Sequence, residues 1–479
     1  MVRSKETSVA NGNASDAAAY YRGLLKPIFG GRRWIVIGGP IIGLAPLAAS
    51  LRKLGALDCF LLGSFVGTGD VPGPEVGPRY SFDLTSKSVM EEFHRYEALL
   101  CAPPAVVCAA LDAFDPDGSA RVVGSIVLGH VPEVAGRRRY GGRPPDWIAL
   151  EDKTVVETLW SAIGIRRAAS NVVPPETAAL MRASRELDRG KGCVWSGDTR
   201  EGVHGGAEGV RWIRDSDDAD EALRFFGPRC DRIRVMTFLE GIPCSIHGVV
   251  FPDAVIALRP VEMVVLRRPA GAGRSAFVYA GVGTWWDPPP GDRAEMRALA
   301  RRVGEALRVR VGFRGPFTID GVLTADGFRP TELNPRFGAG LAIVSSLLPT
   351  LPLPALSLAI TEGECLDYRP EWLERVLLEA ADANRTGRGG LPFERKQEQT
   401  ETHGLVKEPA GYRFAADGEP RDATLRVGPG PVGGTLFFGP SAGHVPEGHS
   451  LAPFVVDACA FADRELATGF GPLEAPQVC

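Results

Sequence analysis

Apolar residues near the start of the chain alternate between strand-like runs and a helical spacing. The pattern predicts a β-strand at 33–37, a helix at 44–54 and a second strand at 57–62. A strand–helix–strand order of this kind is typical of a parallel sheet. The turn Gly38-Gly39-Pro40 does not match a dinucleotide-binding motif, so its glycines are interpreted as turn residues. Around this unit the sequence predicts a loosely held arm at 1–30 with a short helix at 17–25, strands at 105–109 and 125–128, and a linker at 136–145.

The pattern changes after residue 150, where strands, a hairpin and longer loops dominate. Asp152 is placed to cap a helix that runs to residue 163. The turn Ala325-Asp326-Gly327 separates two apolar runs and predicts a β-hairpin. The other predicted elements are strands at 193–196, 232–238, 245–250, 317–323, 329–333 and 434–438 and near Tyr412, helices at 293–307, 370–384 and 452–466, and a charged, glycine-rich loop at 385–404.

Composition narrows the class of protein. The chain has 479 residues, of which 44% are hydrophobic and 23% charged, and this fits a globular protein of about three domains. A net charge of −4 provides no basic field for nucleic acid or an anionic membrane. Proline and glycine interrupt the uncharged runs at 34–51 and 337–361, which argues against membrane spans. Nine scattered cysteines and a polar N-terminus without a signal-peptide core predict a cytoplasmic protein with reduced thiols.

A group of polar residues on the predicted hairpin carries the candidate chemistry. Asp320 lies on its first strand, and Glu332, Asn334 and Arg336 follow on the second. Antiparallel pairing brings the two carboxylates within reach of each other, and strand alternation puts Glu332 and Asn334 on one face. Two carboxylates and an amide oxygen are hard ligands that suit Mg²⁺, with Mn²⁺ as a substitute. A solvated sheet edge is the alternative, but it does not require the run Glu-Leu-Asn-Pro-Arg, and the sequence therefore predicts a metal site.

The hairpin motif, an aspartate followed by Glu-x-Asn-Pro-Arg, resembles that of the ATP-grasp superfamily. Three further segments agree with the resemblance, namely Glu151-Asp152-Lys153, the glycine-rich run 202–209 and Phe238-Leu239-Glu240-Gly241. The resemblance implies an α+β ATP-grasp fold in which two α+β lobes clamp ATP, preceded by a Rossmann-like α/β domain and followed by a C-terminal α+β extension. The implied divisions are an arm at 1–30, a Rossmann-like domain at 31–150, an ATP-grasp domain at 151–365 with lobes at 151–235 and 236–365, and an extension at 366–479.

The resemblance also implies roles for individual residues. Asp320, Glu332 and Asn334 would hold Mg²⁺ on the ATP phosphates, while Arg336 and Lys153 would neutralise charge in the transition state. Backbone N–H groups of the glycine loop would contact the phosphates, and the hinge strand would contact adenine. The implied nucleotide-binding residues are Lys153, Gly205, Gly206, Gly209, Phe238, Leu239 and Glu240.

These roles imply ATP-dependent carboxylate–amine ligation. A carboxylate would attack the γ-phosphorus of ATP to give an acyl phosphate and ADP, and an amine would then displace phosphate. The expected partners are a small-molecule carboxylate and an amine or peptide, with no nucleic acid and no membrane, and the sequence leaves a homodimer open. A narrower resemblance is to the pheganomycin-type peptide ligases, which join an unusual amino acid to a peptide's N-terminus, and it rests on the segments 194–198, 205–206, 438–441, 444–446 and 450–453. This narrower resemblance implies a role in antibiotic biosynthesis.

Three positions depart from the superfamily pattern at the nucleoside end of the site. Trp195 and its neighbours occupy the segment where many members have a lysine, and Lys191 is the nearest candidate replacement. Met236 stands where the hinge commonly begins with an acid, and Pro243 lies where an acid commonly binds ribose. Glu240 is a candidate substitute for either acid. The departures keep two alternatives open, a small-molecule kinase of the same fold and a degenerate protein that binds nucleotide without turnover.

Structural interpretations are favoured for the remaining polar candidates. His247 lies in an apolar strand and is interpreted as a core histidine, whereas His204 in the glycine loop is interpreted as solvent-facing. Arg259, Glu262 and Arg267 lie near the predicted cleft, and a salt-bridge network is favoured over substrate contacts. The predicted chemistry is thereby concentrated at the metal end of the site.

Overall fold

An N-terminal helix, α1 (Ala14–Phe29), is the first element of the structure, a computed structural model that describes residues 12–124, 126–269 and 276–476. The Asn13 side chain caps its first turn by accepting two backbone hydrogen bonds. One face of α1, which includes Tyr21 and Phe29, is completely buried. The prediction of a loosely held arm is therefore wrong for this part of it, because regularly spaced apolar residues give the helix a stripe that packs into the core. The first eleven positions of the predicted arm lie outside the described residues.

A small α/β unit follows α1. Its elements are β1 (Arg33–Gly38), α2 (Ile41–Lys53), β2 (Asp58–Gly63), β3 (Arg79–Ser81), α3 (Val89–Cys101), α4 (Ala105–Phe114) and β4 (Arg121–Gly124). All pairings in its four-stranded sheet are parallel, and the strand order is β3-β2-β1-β4. The predicted strand–helix–strand unit is confirmed. Its apolar strands lie between helices and supply much of the core of this part of the molecule.

Two strand predictions in this unit are wrong. Residues 105–109 belong to α4, because Val107 and Leu111 are buried four residues apart while Val106 is exposed. A strand is predicted at 125–128, but the observed strand is β4, which ends at Gly124 and pairs with β1 through Val122 and Val123. Residues 126–128 are not in a strand, and residue 125 lies outside the described residues. No single helix of the described residues is long and apolar enough to cross a membrane, although α3 and α4 pass that test together as a pair bent by 65°.

The segment 136–145, predicted as a linker, is packed into the structure. β5 (Glu133–Val134) and β6 (Arg137–Arg138) form a short hairpin. The Tyr140 ring is buried against Phe29 and Trp34, with ring centroids 5.5 and 5.6 Å apart. The linker prediction is wrong because Arg137, Arg139 and Arg143 are all less than one tenth exposed, so this arginine-rich run is not solvated.

The next segment contains a four-stranded antiparallel sheet, against which its third and fourth helices pack. Its elements are α5 (Pro145–Ile148), α6 (Val156–Ala162), β7 (Ser170–Val173), α7 (Thr177–Leu187), β8 (Cys193–Gly197), β9 (Val210–Ile213), α8 (Ser216–Phe226) and β10 (Ile233–Thr237). The strand order is β7-β10-β8-β9. Asp152 does not cap α6, which begins at Val156. Its carboxylate instead accepts hydrogen bonds from the N–H groups of Thr154, at 2.7 Å, and Thr199, at 3.1 Å, and so fixes the loop after β8.

An eleven-stranded antiparallel sheet forms the largest layer. The elements from here to the end are β11 (Ile242–Val250), β12 (Val255–Ala257), β13 (Val261–Arg267), β14 (Phe277–Gly283), α9 (Pro290–Val311), β15 (Gly315–Thr324), β16 (Gly327–Asn334), α10 (Ala339–Ser346), α11 (Leu353–Glu362), α12 (Pro370–Ala383), β17 (Gly387–Phe393), β18 (Glu401–Glu408), β19 (Gly411–Phe414), β20 (Ala423–Gly430), β21 (Gly433–Pro440) and α13 (Ala452–Leu466). The strand order is β16-β15-β11-β13-β14-β17-β21-β20-β18-β19, with β12 paired to β11. The predicted hairpin and the predicted last helix are confirmed.

The prediction of a glycine-rich loop at 385–404 is wrong, because β17 and the start of β18 lie within this segment. Gly387 pairs with Gly283 of β14, and a Cβ at position 387 would lie 2.6 Å from the Gly283 Cα. Glycine here allows close approach of two strands rather than a turn. Strands on both sides of residue 365 thus share one sheet, and the division at that residue stays a prediction.

The α13 helix is anchored from the middle of this sheet. Glu262 of β13 accepts a hydrogen bond from the Ser450 hydroxyl and another from the Leu451 N–H at 2.7 Å. Burial raises the pKa of the Glu262 carboxyl, while these donors act in the opposite direction. The favoured salt-bridge interpretation is therefore wrong for Glu262, which instead caps the first turn of a helix.

Replacing Ser450 by alanine should lower the free energy of unfolding by about 1 kcal/mol, because the buried Glu262 carboxylate loses one of its donors. Urea unfolding of the wild type and the variant measures the difference. Ser15→Ala, a change of the same kind on the exposed side of α1, should stay within about 0.5 kcal/mol of the wild type. Equal stability of the Ser450 variant and the wild type would show that this cap contributes nothing.

Candidate active site

The hairpin of β15 and β16 brings the predicted metal residues together. Asp320 pairs directly with Glu332 across the two strands, and a bulge follows at Gly321. The Asn334 Nδ2 donates to Asp320 Oδ2 at 2.8 Å. Ser245, which pairs with Asp320 from β11 on its other side, donates its hydroxyl to Asp320 Oδ1. Sequence reasoning missed this serine, whose position follows from the register of a strand distant along the chain.

The electrostatics of Asp320 suit a cation. Burial, and next the neighbouring Glu332 carboxylate, raise the pKa of Asp320 to about 7. A divalent cation between two facing carboxylates would remove that repulsion, and carboxylate oxygens are ligands that Mg²⁺ prefers. Across the described residues, no group of three or more His, Cys, Asp and Glu side chains is arranged for a metal. The two facing carboxylates fit an ion that takes two carboxylate ligands and completes its shell with other oxygens.

Lys153 lies beside this carboxylate pair. Its Nζ is 3.1 Å from Glu332 Oε2, and the residue is almost completely buried in the short loop before α6. Arg234 of β10 is buried nearby and donates to the carbonyl of Thr331 at 2.7 Å. The structure thus brings the predicted phosphate-binding lysine to the predicted metal ligands, and its role stays a prediction.

Arg336 is fixed by an ion-pair network that sequence reasoning missed. Its Nε donates to Glu151 Oε2 at 3.0 Å, and its Nη2 donates to the Asn334 Oδ1 at 3.1 Å. Glu151 is 2% exposed and also forms an ion pair with Arg143. Burial raises the pKa of Glu151, but Arg336 and Arg143 outweigh it and hold the pKa below its usual range. The sequence signal that could have indicated a role for Glu151 is its place in the segment Glu151-Asp152-Lys153.

The predicted glycine loop is docked against the N-terminal unit. The Gly205 N–H donates to the Met90 sulfur of α3 at 3.2 Å, and His94 Nε2 lies 3.1 Å from the Val203 carbonyl oxygen. Gly206 and Gly209 lie in the same loop, and Gly206 has a φ of 60°, which glycine adopts without strain. The N–H of Gly205 is therefore engaged by the Met90 sulfur, and its contact with phosphate stays a prediction.

His204 is half-buried, so its interpretation as a solvent-facing residue is wrong. Burial, and then the nearby Lys153, lower its pKa. His247, in contrast, is a core histidine as interpreted. Its Nδ1 is 3.0 Å from the Thr318 hydroxyl, and burial lowers its pKa to about 3. Arg259 forms ion pairs with Asp287, at 3.0 Å, and with Asp382, in agreement with the interpretation of that residue as part of a salt-bridge network.

The predicted hinge residues Phe238, Leu239 and Glu240 follow β10, between the two antiparallel sheets. The Phe238 ring stacks on Trp212 of β9, with centroids 4.2 Å apart and planes 11° from parallel. Glu240 forms an ion pair with Lys191. A cavity of about 410 Å³ adjoins the hinge, and its lining includes Lys191, Trp212, Arg214, Phe238, Glu240 and Arg267. Its volume is in the range of small-molecule sites.

The architecture is similar to solved structures of ATP-grasp proteins. The TM-score is 0.52, at 11% identity, for biotin carboxylase from Campylobacter jejuni in a β,γ-ATP complex, over 85% of this chain and 87% of that one. It is 0.51, at 13% identity, for carboxyaminoimidazole ribonucleotide synthase from Aspergillus clavatus complexed with ATP, over 91% and 100% of the two chains. The chain therefore has the ATP-grasp fold, and the predicted fold class is confirmed.

Sequence comparison gives a partial match. No family model matches the chain. A stretch of 184 residues is 28% identical to phosphoribosylamine–glycine ligase from Streptomyces coelicolor, and it covers 36% of this chain. The match spans 43% of the length of that relative. The likeness in sequence is thus to part of a ligase, and the fold is the feature shared along most of the chain.

Proposed function

We propose that this protein is an ATP-dependent carboxylate–amine ligase that acts through an acyl phosphate. The observation that carries the proposal is the half-buried group in which Asp320 and Glu332 face each other next to two cations, Lys153 and Arg336. The partial likeness to a ligase supports it. The described residues provide ligands and charge at this position, which is what phosphoryl transfer requires of a protein.

The reaction consists of two displacements. A substrate carboxylate oxygen bonds to the γ-phosphorus of ATP while the bond to the β,γ-bridging oxygen breaks and ADP leaves. The amine nitrogen then bonds to the acyl carbon, inorganic phosphate leaves, and the amine proton passes to solvent. Lys153 and Arg336 neutralise charge on the transferred phosphoryl oxygens. The glycine loop covers the cleft and excludes water from the acyl phosphate.

Asp320, Glu332 and the amide oxygen of Asn334 would hold Mg²⁺ or Mn²⁺ in this proposal. When bound, the ion supplies further charge neutralisation to the phosphate oxygens. Glu151 positions Arg336 through their hydrogen bonds, so that the guanidinium does not have to be ordered during the reaction. In this proposal Arg336 and Lys153 are the catalytic residues.

The proposed substrates are an amino acid, including non-proteinogenic ones, and the amino group of a second amino acid or a peptide, in a peptide natural-product pathway. This part of the proposal draws on the sequence resemblance to peptide ligases. Trp195 and Phe438, which belong to the segments that carry that resemblance, are buried in the cores of the two antiparallel sheets. They therefore act through the fold and do not contact a substrate directly.

The proposal is tested by an ADP-release screen with Mg–ATP and single amino acids, with and without a dipeptide acceptor. We expect acid-dependent ADP release, an amide product by mass spectrometry, and a hydroxamate when hydroxylamine replaces the amine, since hydroxylamine traps acyl phosphates. Formation of AMP and pyrophosphate would contradict the acyl-phosphate route. A stable phosphorylated product without an amide would identify a kinase, and saturable nucleotide binding without ADP release would identify a degenerate member of the fold.

A further inference from the structure

A second group of buried polar residues lies at the carboxyl edge of the N-terminal parallel sheet. In the strand order β3-β2-β1-β4, the chain proceeds in one direction from β1 to β2 and β3 and then returns to the other side of β1. Strands β1 and β4 therefore meet at a topological switch point, and the crevice beyond their carboxyl ends is where open sheets of this kind bind ligands. The two strands end at Gly38 and Gly124.

Arg139 lies at this crevice with an unpaired guanidinium. The residue is 9% exposed, and its side chain has no hydrogen-bond or ion-pair partner in the described parts of the chain. A Cβ at Gly124 would lie 3.0 Å from Arg139 Nη2, and one at Gly142 would lie 3.2 Å from Arg139 Cδ. Glycine on both sides thus makes room for the arginine at the end of β4. Buried charges are normally paired, and this one is not.

The charged neighbours of Arg139 are committed elsewhere. Glu97 of α3 accepts hydrogen bonds from the N–H groups of Leu128 and Gly129, the latter at 3.0 Å. Arg143 forms its ion pair with Glu151. Burial, and then Arg143, lower the pKa of Arg139 to about 10, which leaves its guanidinium positive at neutral pH.

Two further polar atoms at the same edge lack partners. They are the Ser64 Oγ, directly after β2, and the Glu92 Oε1 on α3, and both residues are at least 98% buried. Burial raises the pKa of Glu92, and the neighbouring Ser64 hydroxyl acts less strongly in the opposite direction. The edge of the sheet therefore presents a hydroxyl and a carboxyl group, which lie next to each other, in addition to the guanidinium of Arg139.

The crevice adjoins the hairpin site. Arg143 donates to the Leu128 carbonyl oxygen at 2.7 Å and pairs with Glu151, which in turn pairs with Arg336. On its other side, α3 contacts the glycine loop through Met90. The Arg143–Glu151 ion pair would thus lie between a ligand at Arg139 and the residues of the hairpin site.

We propose that Arg139 binds an anionic group of a substrate, a carboxylate or a phosphate, distinct from the carboxylate that is phosphorylated. This inference rests on the proposed function and adds a substrate class to it, namely a substrate with a second negative group. Arginine suits both anions because its planar fork of N–H donors matches two oxygens at once. Phosphoryl transfer itself does not need this residue.

The kinetic test compares Arg139→Met with Arg138→Met, a matched control whose exposed side chain pairs with Glu362. With the substrate pair that supports ADP release, Arg139→Met should raise the KM of the anionic substrate about tenfold or more and leave the KM of ATP nearly unchanged. A substrate that lacks the second anion, as the carboxamide or the dephosphorylated form, should have a KM with the wild type that is raised by a similar factor. The KM of Arg139→Met should be the same for both forms of the substrate. If Arg139→Met raised the KM by the same factor for the anionic and the neutral form of the substrate, relative to the wild type, the proposal would be overturned.

A second measurement does not depend on turnover. In saturating Mg–ADP, acetate or methyl phosphate should raise the thermal midpoint of the wild type and of Arg138→Met but not of Arg139→Met, and the effective anion identifies the carboxylate or phosphate source. Arg139→Lys, which keeps the charge, should retain part of the effect. The same response to both anions in all proteins, or no response in the wild type, would overturn the site. If this shift is present while no acid supports ADP release, the proposed function fails and the anion site stands.

Discussion

Replacing Glu332 by glutamine is expected to lower kcat for ADP release by about 100-fold or more. Loss of one carboxylate removes a proposed ligand for Mg²⁺ and the ionic partner of Lys153. Metal-based charge stabilisation is worth several kcal/mol, with about 1.4 kcal/mol for each tenfold in rate. Steady-state assays at several Mg²⁺ concentrations measure the effect. The variant should also require more Mg²⁺ for half-maximal rate, which a purely structural role of Glu332 would not cause.

Asp326→Asn provides the matched control for this prediction, because Asp326 lies at the exposed tip of the same hairpin. That variant should keep wild-type kcat and the wild-type dependence on Mg²⁺. A fully active Glu332→Gln would remove the metal assignment from the hairpin and with it the main support for the proposed function.

The second large effect concerns Glu151. Glu151→Gln should lower the free energy of unfolding by about 3 kcal/mol, because it leaves the Arg143 and Arg336 guanidinium groups without their shared anion. Urea unfolding measures the change. Glu379→Gln, which removes an exposed ion pair with Arg375, should cost less than about 1 kcal/mol. A loss below about 1 kcal/mol for Glu151→Gln would show that the network contributes little to stability.

The same carboxylate gives a pH dependence with a defined sign. Although burial alone raises the pKa of Glu151, its two arginine partners hold the pKa below the usual value of 4.5. A depressed pKa means that the stabilisation is complete above the unfolded-state pKa and is lost as pH falls through the folded-state pKa. The difference in stability between the wild type and Glu151→Gln should therefore be constant near neutral pH and shrink only below about pH 4.5. A difference that shrinks on raising the pH instead would contradict this assignment.

The part of the site that could be predicted from the sequence is the part whose geometry is local. The turn at Ala325-Asp326-Gly327 sets the register of the hairpin as far as the pair Gly321–Pro330, and the bulge that follows shifts it by one residue so that Asp320 pairs with Glu332. A strand period of two then places Asn334 beside them. The last helix was predictable for a similar reason, since its apolar spacing is continuous from one end to the other.

The rest depends on pairings between distant segments. Arg336 and Glu151 are 185 positions apart, so neither the short spacing of a motif nor periodicity indicates their contact. The arginine-rich segment at 136–145 and the glycine-rich segment at 385–404 have the composition of loops. Burial of arginines and the close approach of Gly387 to Gly283 make them parts of the core instead.

The packing of α1 has a consequence for how the chain is made. The Tyr20 hydroxyl donates to the Asp367 carbonyl oxygen 347 positions later, and the Tyr20 ring lies against Trp372 of α12. A growing polypeptide therefore presents the Tyr20 side of α1 long before the ribosome has produced the segment that covers it. During synthesis this end of the helix would need chaperone protection until α12 emerges, and truncation before α12 would leave Tyr20 without its contacts to Asp367 and Trp372.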